Sequence, residues 1–208
     1  MSILVYTRGE LAVDSRVVIA QGDKVHTEDN GRKYRYPPGP FTFHGHKVLL
    51  WAYVGSNIMA RAWDYRYQLM DNKKEYTFLS YADTSRFLVL EESLVGEQII
   101  ITDGPVYVAS LAGSLIEYPP TATIVLGDAK ERVPHCRSEH VAAWLCVAAA
   151  IRLDTRCGGT IHRFTFKDGA VQELKPIDRV LPFTTLYQQA LVCGRHVAAN
   201  VRKKLTLK

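Results

Sequence analysis

The N-terminus of the chain carries two short apolar runs on either side of a tight reversal. Ile3–Tyr6 form the first run, Leu11–Val13 form the second, and Arg8-Gly9-Glu10 lies between them. This pattern is typical of a β-hairpin. Because antiparallel strands lie about 4.8 Å apart, we expect Ser2, at the open start of the hairpin, to lie close to Asp14, at its open end.

The chemistry available to Ser2 depends on the residue before it. Removal of Met1, an ordinary event before a small residue, leaves Ser2 as an N-terminal serine with its own free amine. Such a residue supplies a nucleophile and a base at once. The sequence therefore predicts an N-terminal nucleophile at Ser2.

The hairpin resembles the start of the proteasome β-type hydrolases, in particular the short HslV-type versions of bacteria and phages. In those proteins a hydroxyl residue follows the initiator Met, and an Ala-x-Asp-Ser-Arg segment closes the hairpin, as Ala12-Val13-Asp14-Ser15-Arg16 does here. The resemblance implies an α+β fold, the four-layer α-β-β-α sandwich of N-terminal nucleophile hydrolases, with two antiparallel sheets between helix layers. It also implies hydrolysis of amide bonds, those of peptides in particular.

Length and composition are those of an ordinary globular protein. The 208 residues are 47% hydrophobic and 23% charged, which favours one domain over residues 1–208, with 175–208 as a C-terminal helical extension. No apolar run approaches the roughly 20 residues that span a bilayer, and no signal-peptide pattern opens the chain. We therefore expect a cytoplasmic protein without membrane association.

Cysteines and charge indicate neither a cofactor nor a metal. The four cysteines are widely spaced and are expected to be free thiols: Cys136, Cys146, Cys157 and Cys193. Zinc is disfavoured because His140 and Cys146 lie six residues apart, a poor helical register. The net charge of +5 is modest and spread along the chain, and its one local concentration is Arg202-Lys203-Lys204. Nucleic-acid binding is therefore not expected.

A lysine that assists the nucleophile is expected shortly after the hairpin. HslV-type relatives have an Asp-x-x-Lys-aliphatic segment there, which Glu28–Tyr34 resembles, so Lys33 is the candidate. In that role Lys33 would lower the pKa of the serine hydroxyl or the α-amine and would be held by Asp14. Lys24 is a rival alignment, and a surface lysine on an edge strand is the simpler alternative.

An oxyanion-binding backbone is expected where the strongest buried strand ends. His46–Val54 runs directly into Gly55, and Asn57–Asp71 has helical spacing of apolar residues. Backbone N–H groups at such a turn point outward, and the family's oxyanion donor is the glycine at this place, Gly55. A strand-to-helix turn that needs a small residue is the alternative.

Short β-rich runs from residue 98 to 126 predict an antiparallel sheet that ends at Gly127-Asp128-Ala129. The resemblance places a Gly-Ser-Gly turn here, close to the nucleophile. Asp128 therefore stands where the family has a serine. Its carboxylate is still able to accept a hydrogen bond from the α-amine.

An Ala-rich helix is predicted over Val141–Leu153, followed by Asp154 and Gly158-Gly159. In the family, the Asp at this helix end and the third residue after it orient the amine of the nucleophile. Asp154 matches this pattern, and Cys157 stands where a hydroxyl residue is usual. Without the resemblance, the segment is a helix C-terminus with a glycine cap.

The resemblance also implies partners: a polypeptide substrate, a homo-oligomeric ring and an ATP-dependent unfoldase. The alternative function is a catalytically inactive subunit with a structural or assembly role. It is favoured because Ser2 replaces the commoner Thr, and Asp128 and Cys157 replace hydroxyl residues.

Overall fold

A computed structural model describes residues 2–21, 24–37, 39–40, 42–55, 96–110, 114–134, 136, 141–154 and 156–178. More than half of these residues lie in strands, and all the strands pair antiparallel. The chain divides into two compact units. The first comprises Met1–Gly31, Thr121–Thr165 and Gln172–Lys208, and the second comprises Arg32–Pro120 and Phe166–Val171.

A five-stranded sheet with the order β11-β1-β2-β12-β13 contains the predicted hairpin. Its strands are β1 (Leu4–Thr7), β2 (Glu10–Asp14), β11 (Thr123–Leu126), β12 (Ile161–Lys167) and β13 (Ala170–Ile177). Arg8 and Gly9 join β1 to β2 with φ values of 47° and 79°. Two successive left-handed residues make a turn whose twist matches that of the strands, so the hairpin prediction is confirmed.

One α-helix lies among the described residues, α1 (Ala143–Leu153), and it packs against β1 and β2 in the first unit. Alanine is the best helix former, and here it also allows a close approach to the sheet. The buried face joins the helix to the sheet through Val147, Ala150, Ile3 and Val5. The helix prediction is confirmed, with its start at Ala143 instead of Val141.

The expectation of four free thiols was wrong for one pair. Cys136 and Cys146 form a disulfide with a Cα–Cα distance of 6.1 Å. Cys146 lies in α1, and both residues are buried in the core that α1 forms with the sheet. Thiols were expected because the protein was predicted to be cytoplasmic and the cysteines are widely spaced. Two cysteines ten residues apart are nevertheless able to meet when the chain between them folds back. Cys157 is a buried thiol, and Cys193 lies outside the described residues.

Residues 17–21 and 24–28 form a pair of strands. Strand β3 (Val17–Gln21) pairs with β4 (Lys24–Glu28) as a separate two-stranded sheet. The polar composition of this segment suits a pair of strands that is exposed at Val18 and over residues 26–28.

The second unit contains a six-stranded sheet, in which the order is β10-β9-β8-β7-β5 and β6 pairs with β7. Its strands are β5 (Tyr34–Arg35), β6 (Thr42–Phe43), β7 (His46–Gly55), β8 (Gly96–Thr102), β9 (Val106–Ser110) and β10 (Leu115–Tyr118). Residues 48–54 of β7 are all buried, which means that both faces of this strand are covered. The buried-strand prediction for His46–Val54 is confirmed.

The predicted four-layer α-β-β-α sandwich was wrong. The described residues form mostly strands in antiparallel sheets, with one α-helix among them. The helix layers were what the resemblance implied. Residues 57–71, which were predicted to be helical, lie outside the described residues. Of the predicted C-terminal extension, residues 175–177 continue β13, and residues 179–208 lie outside the described residues.

Candidate active site

Ser2 lies two residues before β1 and is 3% exposed. Leu4 pairs with Leu126 on one side and with Val13 on the other. Leu126 ends β11 and Val13 is next to the end of β2, so Ser2, two residues before Leu4, lies close to the segments that follow these two strands. The topology therefore brings the start of the chain to the ends of two strands that carry predicted site residues.

Asp14 is fully buried and joins two separate segments through its carboxylate. Oδ1 accepts a hydrogen bond from the Ile3 N–H at 3.0 Å, and Oδ2 accepts one from the Gly158 N–H at 3.2 Å. The Asp14 N–H in turn donates to the Ile3 carbonyl at 3.2 Å. Ile3, which directly follows Ser2, is thus hydrogen-bonded to Asp14 through both its N–H and its carbonyl. The hairpin pattern predicted that these two ends of the hairpin lie close together.

Ser15 connects the end of the hairpin to the turn after α1. The backbone N–H groups of Ser15 and Arg16 both donate to the Gly158 carbonyl, at 3.2 and 3.0 Å. The Ser15 hydroxyl accepts from the Thr160 N–H at 2.8 Å and donates to the Asp29 carbonyl. A single hydroxyl therefore holds three segments of the chain together.

Arg16 forms a two-pronged ion pair with Asp29. Nε and Nη2 donate to the two carboxylate oxygens at 2.6 and 2.8 Å, and Nη1 donates to the Cys157 carbonyl at 3.4 Å. The hydrogen bond to Asp29 raises the pKa of Arg16. The prediction from sequence included Arg16 in the hairpin motif without giving it a role, and it did not name Asp29 as a site residue. No local pattern around either residue indicates this contact.

Ser15 and Arg16 fill the space beside the turn, and glycine is required at Gly159. A Cβ atom at Gly158 would overlap the Arg16 guanidinium. A Cβ atom at Gly159 would overlap the Ser15 hydroxyl and the Asp29 carbonyl, and Gly159 has φ +75°. The Gly158-Gly159 pair therefore does more than end a helix, since it lets two segments approach each other within hydrogen-bonding distance.

Asp154 follows α1 and is 6% exposed. Its carboxylate accepts hydrogen bonds from Arg156 Nε at 2.8 Å, Arg156 Nη2 at 2.6 Å and the Arg156 N–H at 3.0 Å. The side-chain hydrogen bond from Arg156 lowers the pKa of Asp154 to about 2, against the opposing effect of burial. Asp154 is therefore a carboxylate at neutral pH, and its two oxygens are engaged by a guanidinium that is 48% exposed.

Cys157 and Asp128 lie close to this ion pair. Cys157 is 1% exposed, and its N–H donates to the Asp154 carbonyl at 3.0 Å. Asp128 is exposed and begins the short 3₁₀ helix Asp128–Arg132, directly after Gly127. The pKa of Arg156 is raised, first by its hydrogen bond to Asp154 and further by the charge of Asp128. Asp128, Asp154 and Cys157 thus belong to one neighbourhood in the first unit.

Lys33 and Gly55 belong to the second unit. Lys33 is 4% exposed and precedes β5, and its carbonyl accepts from the Tyr53 N–H at 3.0 Å. Gly55 ends β7 opposite Gly96 and has φ +97°, a conformation that glycine readily adopts. Their roles beside Ser2 stay predictions, as does the rival assignment of Lys24, whose backbone lies in β4.

The described residues contain no group of three or more His, Cys, Asp and Glu side chains arranged to hold a metal ion. The histidines considered for zinc, His135 and His140, lie outside those residues. In the part of the chain that the structure describes, no helix has the length and apolar character needed to cross a membrane.

No protein-family model and no curated protein matches the sequence. Solved structures of Anbu do match it. An Anbu Gly-1 mutant from Hyphomicrobium sp. strain MC1 aligns with a TM-score of 0.58 and 12% identity, covering 100% of this chain and 97% of that chain. A second Anbu structure from the same strain aligns with a TM-score of 0.57 and 13% identity, covering 99% and 97%.

Anbu is a proteasome-like protein of the N-terminal nucleophile hydrolase type, and it is a different branch from HslV. The chain therefore shares the fold of these Anbu structures, and the assignment to the HslV-type branch was wrong. The Asp-Ser-Arg hairpin that suggested HslV is a short motif, and a short motif does not separate branches of one fold. At 12–13% identity, the likeness shows the fold alone.

Proposed function

We propose that the chain is an N-terminal serine peptidase of the proteasome-like type, in which Ser2 is the nucleophile after Met1 is removed. The Asp14 carboxylate carries this proposal. It is fully buried, and it fixes the Ile3 N–H beside Ser2 to the Gly158 N–H of the turn after α1. Burying a carboxylate costs free energy unless hydrogen bonds offset the loss of water, and these two backbone donors supply that offset and hold both segments at Asp14.

The proposed reaction uses the N-terminal residue for both nucleophile and base. Ser2 Oγ bonds to the carbonyl carbon of a peptide while its proton passes to the α-amine, and collapse of the adduct returns that proton to the leaving amine. Water then cleaves the acyl ester by the same route and regenerates Ser2. The proposal retains the Gly55 N–H as oxyanion donor and Lys33 as the cation that lowers the pKa of the nucleophile.

Two observations on purified protein test the proposal. Intact mass spectrometry is expected to show loss of Met1, because the Ser2 nitrogen is an amide and not a base while Met1 is attached. A peptide epoxyketone, which reacts with a free N-terminal amino alcohol, is expected to label the wild type and not Ser2→Ala. Retention of Met1 together with absence of labelling would contradict the proposal.

A second candidate function is a catalytically inactive proteasome-like subunit with a structural or assembly role. The observation that favours it is the Asp154–Arg156 ion pair, which engages both carboxylate oxygens predicted to orient the amine of the nucleophile. Replacing Arg156 with Met removes the guanidinium and keeps the length of the side chain. If Arg156→Met creates Ser2-dependent hydrolysis that the wild type lacks, this second function is supported.

The partners belong to the proposal as well. A polypeptide substrate, a homo-oligomeric ring and an ATP-dependent unfoldase follow from the proteasome-like resemblance. Sedimentation velocity tests the ring directly, because a ring sediments as one species many times heavier than the 23.4 kDa chain. A single boundary at the mass of one chain, across micromolar concentrations, would contradict it.

A further inference from the structure

We propose that Arg16 and Asp29 form a positioning pair, which holds the Gly158-Gly159 turn so that the Gly158 N–H reaches Asp14 beside the nucleophile. The inference deepens the proposed function and rests on it. Neither Arg16 nor Asp29 contacts the reacting atoms in this account. They act through the turn and through Asp14.

The first step is the contact between Arg16 and the turn. The planar guanidinium lies against Gly158, where a Cβ atom would overlap it, and Nη1 donates to the Cys157 carbonyl at 3.4 Å. The Arg16 N–H also donates to the Gly158 carbonyl at 3.0 Å. The position of this guanidinium therefore fixes the position of the turn.

The second step is the contact that fixes the guanidinium. Asp29 accepts from Nε and Nη2 of Arg16 at 2.6 and 2.8 Å, which is the fork geometry that restricts an arginine to one orientation. The Asp29 carbonyl accepts from the Ser15 hydroxyl, and the Gly31 N–H donates to the Ser15 carbonyl at 2.8 Å. The segment that carries Asp29 is thus anchored independently of its carboxylate.

The third step runs from the turn to the nucleophile. The Gly158 N–H donates to Asp14 Oδ2 at 3.2 Å, and Asp14 Oδ1 accepts from the Ile3 N–H at 3.0 Å. Ile3 directly follows Ser2. A shift of the turn is therefore transmitted to the backbone of the nucleophile through one fully buried carboxylate.

Because Arg16 and Asp29 are partly exposed, a positioning role and a structural role predict different effects on rate and on stability when the pair is removed. Asp29 is 52% exposed and Arg16 is 24% exposed at the side chain. Ion pairs this exposed contribute little to stability, because water screens them. A misplaced nucleophile, in contrast, reduces the rate of the chemical step strongly. Loss of the pair is thus expected to lower kcat much more than it lowers Tm.

The experiment compares Asp29→Asn, Arg16→Met and the double variant with the wild type in hydrolysis of a fluorogenic peptide. We expect kcat to fall by about tenfold or more in each single variant, with KM within about twofold and little change in Tm. The kcat of the double variant should be no lower than that of either single variant, because the two residues act as a unit. Asp29→Glu, which keeps the charge, should restore part of the rate. An unchanged kcat in Asp29→Asn overturns the proposal.

Asp103→Asn is the matched control. Asp103 is an exposed carboxylate that accepts from the Lys47 N–H at 3.0 Å and lies 3.6 Å from His46, outside the candidate site. Its removal is expected to leave kcat unchanged.

Hydrogen exchange distinguishes failure of this inference from failure of the proposed function. Asp29→Asn is expected to speed exchange of the Gly158 N–H while leaving the N–H groups of α1 protected. If the wild type hydrolyses no faster than Ser2→Ala, the proposed function fails and exchange alone decides. Faster exchange at Gly158 then supports the positioning pair, and unchanged exchange overturns it.

Discussion

Asp14 is the single residue with the largest predicted effect on the site, because its two oxygens have different donors. In Asp14→Asn, one position remains an acceptor and the other becomes an NH₂ group, so either the Ile3 N–H or the Gly158 N–H loses its acceptor. A buried unsatisfied donor costs about 1–3 kcal/mol. We expect the free energy of unfolding, measured with urea, to fall by that amount, and Ser2-dependent hydrolysis to fall at least about tenfold.

Asp168→Asn makes the same chemical change in the exposed turn between β12 and β13. Asp168 has φ 52°, a conformation that asparagine tolerates well, so we expect less than about 0.5 kcal/mol of change. Equal effects of the two substitutions would contradict the role assigned to Asp14.

The pH dependence of stability at low pH should report the Asp154–Arg156 pair. Arg156 lowers the folded-state pKa of Asp154 from 3.8 to about 2. The stabilisation is therefore complete above the unfolded pKa of 3.8 and is lost as pH falls from there to about 2. Since Arg156 is half exposed, water screens the pair, and we expect its contribution to stability to be small.

The measurement is urea unfolding of the wild type and Arg156→Met at several pH values. The difference in unfolding free energy between them should be present at pH 6 and should shrink between pH 4 and pH 2. A difference that stays constant across this window would contradict the assignment of the low pKa to Arg156.

At the residue scale, the sequence predicted the groups that a short motif identifies and missed those defined by tertiary contact. Asp14 was predicted beside the start of the chain because the turn at Arg8-Gly9 sets the register of the hairpin. Asp29 was missed because its partner, Arg16, lies 13 residues away across the β3–β4 hairpin. Nothing in the local pattern of either residue indicates that contact.

At the scale of elements, the turn after α1 offers a matched comparison of two glycines. Gly159 and Gly45 have φ values of 75° and 79°, but a Cβ atom at Gly159 overlaps Ser15 and Asp29, whereas Gly45 has open space around it. Alanine at Gly45 therefore reports the cost of the left-handed conformation alone, about 1 kcal/mol. We expect Gly159→Ala to cost at least about 1–2 kcal/mol more than Gly45→Ala in urea unfolding. Equal costs would show that the turn does not pack against Ser15 and Asp29.

The disulfide under α1 gives a second prediction at this scale. In the chain-entropy model, a bridge between Cys136 and Cys146 closes a loop of ten residues and stabilises the fold by about 2–3 kcal/mol. We expect reduction to lower Tm. In denaturant without reductant, iodoacetamide should modify two of the four cysteines. Modification of all four would contradict the bridge.

Strands and turns were the elements that the sequence predicted best. β7, β8 and β9 follow apolar runs bounded by turn residues. β7 was predicted close to its observed bounds, and most of β8 and all of β9 lie in the segment predicted to form short strands. The pairing of β11 was not foreseen. It follows β10 along the chain but pairs with β1, more than a hundred residues earlier. Local patterns specify that a strand forms, whereas its partner depends on which edge remains available in the fold.

At the scale of the whole molecule, the resemblance pointed to the same broad fold as the Anbu structures, and it was wrong about the HslV-type branch and the four layers. A hairpin with a buried Asp at its end is compatible with any proteasome-like chain, so it indicated the fold that Anbu shares and could not distinguish Anbu from HslV. The predicted helix layers were taken over from the resemblance, and a few short motifs do not specify how many layers a chain forms.

The central claim is that Ser2, which becomes the N-terminal residue when Met1 is removed and is held near Asp14, carries out amide hydrolysis. The most direct measurement is the hydrolysis rate of a fluorogenic peptide by wild-type protein, with loss of Met1 verified by mass, against Ser2→Ala prepared identically. The account predicts hydrolysis by the wild type and a rate for Ser2→Ala that is indistinguishable from buffer. Equal rates in the two proteins would contradict it.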